Sequence, residues 1–369
     1  MKVVICPDSF KGSLSAAEAA ERIGEAAKAV SPAIRTVLIP VADGGEGTAD
    51  ALGAGKRFCT VKSADFTDME AFWGELGDTA VIELASCAGL PLTKLRDPEK
   101  TTTYGVGELI LHALDAGKRD FVIGLGGSST NDMGCGMASA LGVRFYDREG
   151  NSFVPTGGTL AKIARIDLSG RDPRIAECRF TTMCDVTNPL YGEKGAAYVF
   201  APQKGADPEA VRRLDAGLRS AAELLRRDCG LDLAGIPGTG AAGGCGAGVI
   251  AFLSSELKSG IDVVLDLKEF DREIADADLV LTGEGKFDSQ SLDGKVVSGI
   301  AKRTVKTNTP LVVLAGCAAE TPECYDRGVT AVFSIQRRAL PLEEAMKVNG
   351  ESLYKTAYNI LKLFFRKGV

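Results

Sequence analysis

Glycines, hydroxyl groups, an amide and a carboxylate follow one another at positions 126–132, which read GGSSTND. A strand-like apolar run precedes them at 121–125, and apolar residues resume at helical spacing from Met133. The backbone N–H groups of such a loop, at the start of a helix, attract anions. The pattern predicts either a phosphate or carboxylate cradle or a tight strand-to-helix turn capped by Asn131 or Asp132.

Carboxylates and lysines also stand beside glycines where other predicted strands end. Lys11 follows the first strand, DGGEG at 43–47 follows the second, and GEGKFDSQS at 283–291 follows a strand near the C-terminus. Lys295 stands at a helix start, where its charge opposes the helix dipole. Phosphoryl transfer uses this mixture, because carboxylates hold Mg²⁺, lysines and N–H groups neutralise the moving phosphoryl group, and one carboxylate takes the hydroxyl proton.

A second glycine-rich stretch, GTGAAGGCGAG at 238–248, matches GxGxxG, with Asp262 near the distance of a ribose contact. The strand that should precede a dinucleotide fingerprint is interrupted by Gly235 and Pro237. Close backbone packing or a different phosphate loop therefore remain alternatives to a dinucleotide site.

Composition excludes several functional classes. The net charge of −6 argues against a nucleic-acid footprint, and no apolar run is long enough for a membrane span or a secretory signal. The ten cysteines are scattered without a CxxC pair, which favours reduced thiols in a cytoplasmic protein. His112 is the only histidine and points away from the apolar face of its predicted helix, so acid, base and metal chemistry falls to carboxylates and lysines.

Predicted strands and helices alternate at both ends of the chain, whereas the middle has a mixed α+β pattern. Residues 262–267 are predicted as a strand. The pattern predicts an α/β fold of two domains, a Rossmann-like doubly wound sheet with a second mixed α/β domain inserted. The first domain takes residues 1–60 and 262–369, the inserted domain takes 61–261, and the active site is expected in the interdomain cleft.

These motifs resemble those of the type-1 glycerate kinase family over nearly the whole length of the chain. The similar segments are CPDSFKGSLSA at 6–16, PVADGGEGT at 40–48, GELI at 107–110, GLGGSSTNDMGCGM at 124–137, CDVTNPLYGEKGAA at 184–197, FAPQKG at 200–205, GTGAAGGCGAG at 238–248 and LTGEGKFDSQSLDGKV at 281–296.

The resemblance implies ATP-dependent, Mg²⁺-assisted phosphorylation of D-glycerate to 2-phosphoglycerate or 3-phosphoglycerate in organic acid catabolism, without a nucleic-acid or membrane partner. Two alternatives are an NAD-linked 2-hydroxyacid dehydrogenase, which would need a base such as histidine, and a non-catalytic sensor of an acid or nucleotide. The oligomeric state does not follow from the sequence.

The kinase interpretation assigns each candidate residue a role. Catalysis is assigned to Lys11, Asp43, Asp288 and Lys295, and metal binding to Glu284 and Asp288. Substrate or nucleotide binding is assigned to Asp8, Ser9, Gly44, Gly45, Glu46, Gly126, Gly127, Ser128, Ser129, Thr130, Asn131, Asp132, Asp185, Asn188, Gln203, Lys204, Gly240, Gly243, Ser289 and Gln290.

Overall fold

The computed structural model of the protein describes residues 1–41, 44–292, 296–319 and 322–366, without the side chain of Gln290. The strands are β1 (Lys2–Ile5), β2 (Arg35–Leu38), β3 (Gly55–Lys62), β4 (Asp68–Leu76), β5 (Thr79–Glu83), β6 (Asp120–Gly124), β7 (Arg144–Tyr146), β8 (Ser152–Phe153), β9 (Arg165–Asp167), β10 (Arg179–Met183), β11 (Glu256–Lys258), β12 (Leu279–Phe287), β13 (Leu311–Ala318) and β14 (Ala331–Ser334). The α-helices are α1 (Ala16–Val30), α2 (Thr48–Leu52), α3 (Ala85–Ala88), α4 (Tyr104–Asp115), α5 (Cys135–Ala140), α6 (Ala196–Phe200), α7 (Pro208–Cys229), α8 (Ala241–Leu253), α9 (Gly260–Leu267), α10 (Phe270–Ile274), α11 (Val296–Thr307), α12 (Pro322–Asp326), α13 (Leu342–Lys347) and α14 (Asn349–Phe364).

The chain divides into two compact units. Unit 1 comprises Met1–Ala42, Asp50–Leu52 and Ser259–Val369, and unit 2 comprises Asp43–Ala49 and Gly53–Lys258. Parallel strands that alternate with helices confirm the predicted α/β class. The predicted domain boundaries stay a prediction. Within the described ranges, no helix combines the length and apolar character that a membrane span needs.

The sheet of unit 1 has the order β14-β13-β12-β1-β2 in the described part of the chain, and its neighbouring strands are parallel. Strand β1 is buried over its whole length, as its continuous apolar run predicts for a parallel strand. Helix α1 begins at a capping box of Ser15 and Glu18 and packs with α14, so that Ile23 and Leu353 join one apolar core.

The strand order of unit 1 reverses at β1 and β12. The chain moves from β1 outward to β2, and from β12 in the opposite direction to β13 and β14. The N–H of Asp8 donates to the carbonyl oxygen of Gly283 (2.8 Å) at the end of this central pair. In α/β sheets, a reversal of this kind opens a crevice at the carboxyl ends of the strands, where ligands bind.

Unit 2 contains a mixed sheet and a small antiparallel sheet. The mixed sheet has the order β11-β10-β6-β5-β4-β3; the pairs from β11 to β5 are parallel, and β4 is antiparallel to both of its neighbours. Strands β8, β7 and β9 form the small sheet, and β7 and β8 are the hairpin that the turn residues after 146 predict.

The predicted strand at 262–267 is wrong, because these residues belong to helix α9. The Ser259 side chain accepts a hydrogen bond from the N–H of Asp262 (3.3 Å) and caps the helix. The β-branched residues Val263 and Val264 give the short run a strand-like appearance, but the hydroxyl three residues before an acidic residue is a helix-start signal.

Candidate functional site

The candidate site of unit 2 begins where three parallel strands end side by side. Glu83, Gly124 and Met183 are register partners at the ends of β5, β6 and β10. Gly44 lies across them: its carbonyl oxygen accepts from the N–H of Gly126 (3.0 Å), and a Cβ added to Gly44 would lie 2.8 Å from Cβ of Met183. The two glycine-bearing loops of the sequence motifs, 44–48 and 126–132, therefore contact each other directly.

The loop 126–132 is fixed by hydrogen bonds from its own hydroxyl groups and amides. Both the N–H and the Oγ of Ser129 donate to the carbonyl oxygen of Ala88 (2.9 Å each). The Thr101 hydroxyl donates to the carbonyl oxygen of Ser129 (2.9 Å), and the carbonyl oxygen of Gly127 accepts from the N–H of Leu90 (2.8 Å). Through these hydrogen bonds, Ser129 stabilises the conformation of the loop.

Asp132 is fully buried, and its carboxylate accepts four hydrogen bonds. The donors are the N–H (2.8 Å) and the hydroxyl (2.9 Å) of Thr103, and the N–H groups of Gly134 (3.1 Å) and Gly136 (3.2 Å). Burial raises the pKa of the Asp132 carboxyl above its usual value, although these hydrogen bonds act in the opposite direction. The carboxylate thus ties the end of the loop to the start of α4 and to α5.

Lys204 lies beneath the same loop with only 1% of its surface exposed. Its Nζ donates to the Ser128 hydroxyl (2.8 Å) and to the carbonyl oxygen of Thr130 (2.6 Å). Burial lowers the pKa of Lys204 to about 7, and the nearby Asp132 carboxylate opposes that shift. The next residue must be glycine for the backbone to turn here. Gly205 has a φ of +104°, and an added Cβ would lie 2.0 Å from the carbonyl oxygen of Arg96.

Thr130 and Asn131 carry buried polar atoms that have no hydrogen-bond partner in the described part of the chain. These atoms are Oγ1 of Thr130 and both amide atoms of Asn131. Leaving a buried polar group unpaired costs about 1–3 kcal/mol. In native proteins such groups mark strain, an ordered water or a ligand.

The glycine-rich start of α8 packs on this loop from the other side. Ala242, Gly243 and Gly244 have φ values of +51°, +66° and +88°, and the carbonyl oxygen of Gly243 accepts from the N–H of Met133 (3.1 Å). A Cβ on Gly243 would lie 2.1 Å from the carbonyl oxygen of Thr130. The glycine at this position therefore serves close backbone packing, one of the alternatives that the sequence left open.

Unit 1 gathers a second group of predicted residues after β1 and in the last part of β12. The sequence predicts that 283–291 follow the strand, but Gly283–Phe287 continue β12 and pair with β13. Asp8 follows β1, and its Oδ1 accepts from the N–H of Ser9 (2.6 Å). Gly285 in β12 lies against the backbone of Lys11, whose side chain is exposed. Asp288 pairs with Lys286 at 2.9 Å. Carboxylates and a lysine therefore share the carboxyl edge at which the strand order reverses.

This edge suits a magnesium ion. Mg²⁺ prefers oxygen ligands and is usually held by one or two carboxylates together with substrate phosphates. The N–H of Asp8 donates to the carbonyl oxygen of Gly283, the residue that precedes Glu284. Among the residues that the structure describes, no group of three or more His, Cys, Asp or Glu side chains could hold a metal by itself.

Comparison with known proteins decides the family. A model of the glycerate kinase family matches residues 3–365. The chain is 45% identical to a glycerate kinase of Bacillus cereus and 42% identical to a glycerate 2-kinase of Escherichia coli; each alignment covers 98% of this chain and 97% of the relative. A structure named for glycerate kinase 2 of Salmonella typhimurium has a TM-score of 0.89 at 43% identity, covering 99% of this chain and 98% of that one.

The chain belongs to the glycerate kinase family. It is therefore a kinase, and the resemblance of its sequence motifs is confirmed.

In this glycerate kinase family member, unit 2 brings together Gly44, Gly126–Asp132, Lys204 and Gly243, while unit 1 brings together Asp8, Ser9, Lys11 and Glu284–Asp288. Asp43 and Lys295 lie outside the described residues, as does the side chain of Gln290.

Other predicted residues are exposed or are joined to one another through the backbone. Asp185, Gln203 and Ser289 are exposed, and Asn188 Nδ2 donates to the carbonyl oxygen of Lys194 (2.8 Å). The N–H of Gly240 donates to the carbonyl oxygen of Asn188 (3.0 Å), which joins those two segments through the backbone.

Glu83, a buried acid of the kinase, is not among the residues that the sequence motifs single out; the signal for it is a lone carboxylate in an otherwise apolar run. The threonines before α4, which include Thr103, are compatible from sequence with a helix cap or a ligand contact. Thr103 connects the site internally, since its hydroxyl donates to Asp132 and accepts from the N–H of Met137 (2.9 Å).

Proposed function

We propose that this kinase transfers the γ-phosphoryl group of ATP to a hydroxyl of D-glycerate with the help of Mg²⁺. The observation that carries the proposal is the loop 128–131, where a buried lysine and unpaired amide and hydroxyl groups converge in a chain that aligns almost completely with glycerate kinases. Anionic reactants need fixed donors that water does not screen, and buried groups supply them.

In unit 2, we assign contact with one anionic reactant to the Asn131 amide and the Thr130 hydroxyl. Lys204 and Asp132 hold these two residues in place, because Lys204 donates to Thr130 and Asp132 accepts the N–H groups after the loop. The N–H of Gly126 already donates to the carbonyl oxygen of Gly44. Gly126 therefore lets the two backbone segments approach closely, and its N–H is not a free donor for a ligand.

In unit 1, we assign Asp8, Glu284 and Asp288 to the metal and Lys11 to the charge of the phosphate or carboxylate. Mg²⁺, when bound, neutralises charge on the phosphoryl oxygens. The exposed ammonium group of Lys11 at the end of β1 can add a donor at the same edge. Asp43 stays a prediction for Mg²⁺ binding or proton transfer, and Lys295 stays a prediction for binding the glycerate carboxylate or the γ-phosphate.

We propose 2-phosphoglycerate as the product, with 3-phosphoglycerate as the alternative. The Escherichia coli relative is named glycerate 2-kinase, and its 42% identity over nearly the whole chain supports the same position. Phosphorus NMR of the product from ATP, Mg²⁺ and D-glycerate separates the two esters. A signal of 3-phosphoglycerate alone would reject the proposed position while keeping the kinase reaction.

The central test is Asn131→Ala, assayed with ATP, Mg²⁺ and D-glycerate. Loss of one preorganised donor costs about 100-fold or more in turnover, so we expect kcat/KM to fall by that factor. Asn151→Ala is the matched control, because the Asn151 amide is exposed and bonds only locally to Asp147 (3.1 Å). Equal activity in both variants would contradict the assignment of Asn131. Asp43→Asn and Lys11→Ala test the other roles in the same assay.

A further inference from the structure

Glu83 is a buried carboxylate at the end of β5, with 2% of its surface exposed. Its Oε1 accepts from the N–H of Ala49 (2.6 Å) and its Oε2 from the N–H of Gly47 (3.2 Å). Burying a carboxylate is costly unless charge-assisted hydrogen bonds replace its hydration. These two amides belong to the start of α2 and the loop before it, so the carboxylate also lies at the favourable end of the helix dipole.

The segment that Glu83 holds runs across the ends of three strands. Glu83 is the register partner of Gly124, which is the partner of Met183. At the far end of the segment, the carbonyl oxygen of Gly44 accepts from the N–H of Gly126 (3.0 Å), and a Cβ on Gly124 would lie 2.3 Å from that same oxygen. The segment 44–49 is thus attached at Gly44 to the loop 126–132 and at Gly47 and Ala49 to Glu83.

Between these two attachments stands Glu46, whose side chain is exposed. The Thr48 hydroxyl donates to the carbonyl oxygen of Gly45 (2.7 Å) and closes the turn around it. Gly44 and Gly47 both have positive φ, +83° and +86°, and glycines adopt many conformations in the unfolded chain, so hydrogen bonds at both ends of the turn favour this single shape.

We propose that Glu83 is a positioning residue for phosphoryl transfer, which fixes the segment 44–49 against the loop 126–132. The inference rests on the proposed function of that loop. This role requires the carboxylate of Glu83 and not only a side chain of its size. In Gln, one of the two oxygens becomes an NH₂ group, which faces a backbone N–H and cannot accept a hydrogen bond from it.

The test compares Glu83→Gln with Glu75→Gln in the full-length protein. Glu75 lies on the neighbouring strand β4, where it pairs with Arg57 and Lys118 at the partly exposed edge of the same sheet. A misplaced reacting group can cost about 100-fold in rate, so we expect Glu83→Gln to lower kcat by that order, with little change in KM for ATP or D-glycerate. Glu75→Gln should keep the wild-type kcat.

Hydrogen exchange gives a second readout that does not depend on turnover. In Glu83→Gln the amides of the peptide 44–52 should exchange faster, while those of β6 should keep their wild-type rates. Faster exchange with unchanged kcat, or a lower melting temperature with neither effect, would overturn the proposal. A wild-type protein without kinase activity would reject the proposed function instead, and the exchange result would still report on the attachment.

Glu83→Asp covers the case in which the Gln variant does not fold. Aspartate keeps the charge, but it is one methylene shorter, so it reaches one of the two amides at most. We expect an intermediate loss of kcat and intermediate exchange of the peptide 44–52. Wild-type exchange and wild-type kcat in Glu83→Asp would overturn the requirement for both hydrogen bonds.

Discussion

The Nζ atom of Lys204 lies 2.6 Å from the carbonyl oxygen of Thr130, in a place that solvent does not reach. A buried lysine is rarely tolerated unless its charge is paired or its proton is lost. Here the partners are a carbonyl and a hydroxyl, and Asp132 supplies negative charge nearby. The free-energy cost of burying the Lys204 ammonium group therefore depends on the conformation of the loop 126–132, because that loop supplies its hydrogen-bond acceptors and also carries Asn131.

The pH dependence of stability should reveal this buried lysine. Burial lowers the pKa of Lys204 from 10.5 to about 7 in the folded protein, so the unfolded chain holds more protons between these values. Stability from this residue is therefore lost as the pH falls from about 10 to about 7. Since Lys204→Met removes the titration, its melting temperature relative to wild type should be higher at pH 7 than at pH 9.5.

Differential scanning fluorimetry at both pH values measures this difference. Lys162→Met is the control, because Lys162 is exposed and the substitution removes a lysine without touching the buried site of Lys204. A pH-independent difference for Lys204→Met would contradict the prediction.

The four hydrogen bonds to Asp132 predict a large loss of stability in Asp132→Asn. One carboxylate oxygen becomes an NH₂ group that faces the donors of Thr103, Gly134 or Gly136. Breaking such a buried charged network costs about 3 kcal/mol. Asp120→Asn, at the start of β6, loses only the ion pair with exposed Arg179 and should cost no more than about 0.5 kcal/mol.

Urea unfolding followed by circular dichroism compares the two variants. Equal unfolding midpoints for Asp132→Asn and Asp120→Asn would show that the buried carboxylate does not support the loop.

Sequence could predict the loop but not the direction of each side chain. The run at 121–136 predicts a strand, a polar loop and a helix, and the structure has β6, the loop and α5 there. Asp132 and Asn131 are adjacent polar residues, yet Asp132 accepts hydrogen bonds from Thr103, 29 positions away, whereas the side-chain amide of Asn131 has no hydrogen-bond partner among the described residues. Such long-range partners do not follow from local spacing.

Two other residues show where local patterns lose information. Glu83 interrupts a run of apolar residues, and the amides that bond to its carboxylate belong to the distant segment 44–49. The β-branched residues after Asp262 predict a strand, whereas the Ser259 cap makes this segment helical. In both cases, a hydrogen bond from outside the apolar run decides the structure.

Close packing of Gly243 predicts a severe effect of Gly243→Ala. The added Cβ would lie 2.1 Å from the carbonyl oxygen of Thr130 and 2.5 Å from Cα of Asn131, so the loop itself must move. Gly230→Ala separates this clash from backbone strain, because Gly230 has a similar φ of +69° and an added Cβ meets nothing within 4 Å. Strain alone costs about 1–2 kcal/mol.

Thermal unfolding and turnover should therefore be measured for both glycine variants. We expect Gly230→Ala to lose stability but to keep kcat, and Gly243→Ala to lose both. If Gly243→Ala is no worse than Gly230→Ala in either measurement, the contact between the α8 start and the loop does not constrain the site.

The carboxylates at the reversal of strand order in unit 1 predict how turnover depends on the magnesium concentration. Asp8→Asn keeps an oxygen for the Ser9 amide and removes the negative charge, and Glu284→Gln removes the negative charge of a residue in β12. Loss of a residue that supports a metal ligand already weakens metal binding by about tenfold or more, so loss of a ligand charge should raise the Mg²⁺ concentration for half-maximal turnover at least as much.

Magnesium titration of turnover at saturating ATP measures this concentration, and binding of Mn²⁺ followed by electron paramagnetic resonance measures metal affinity without turnover. Glu25→Gln is the control, because Glu25 pairs with Arg22 on the exposed surface of α1. A lower kcat with unchanged metal affinity in Asp8→Asn and Glu284→Gln would assign these carboxylates to another step. Unchanged values in both measurements would remove the two residues from the site, since a carboxylate that helps to hold the ion cannot lose its charge without weakening the ion's binding.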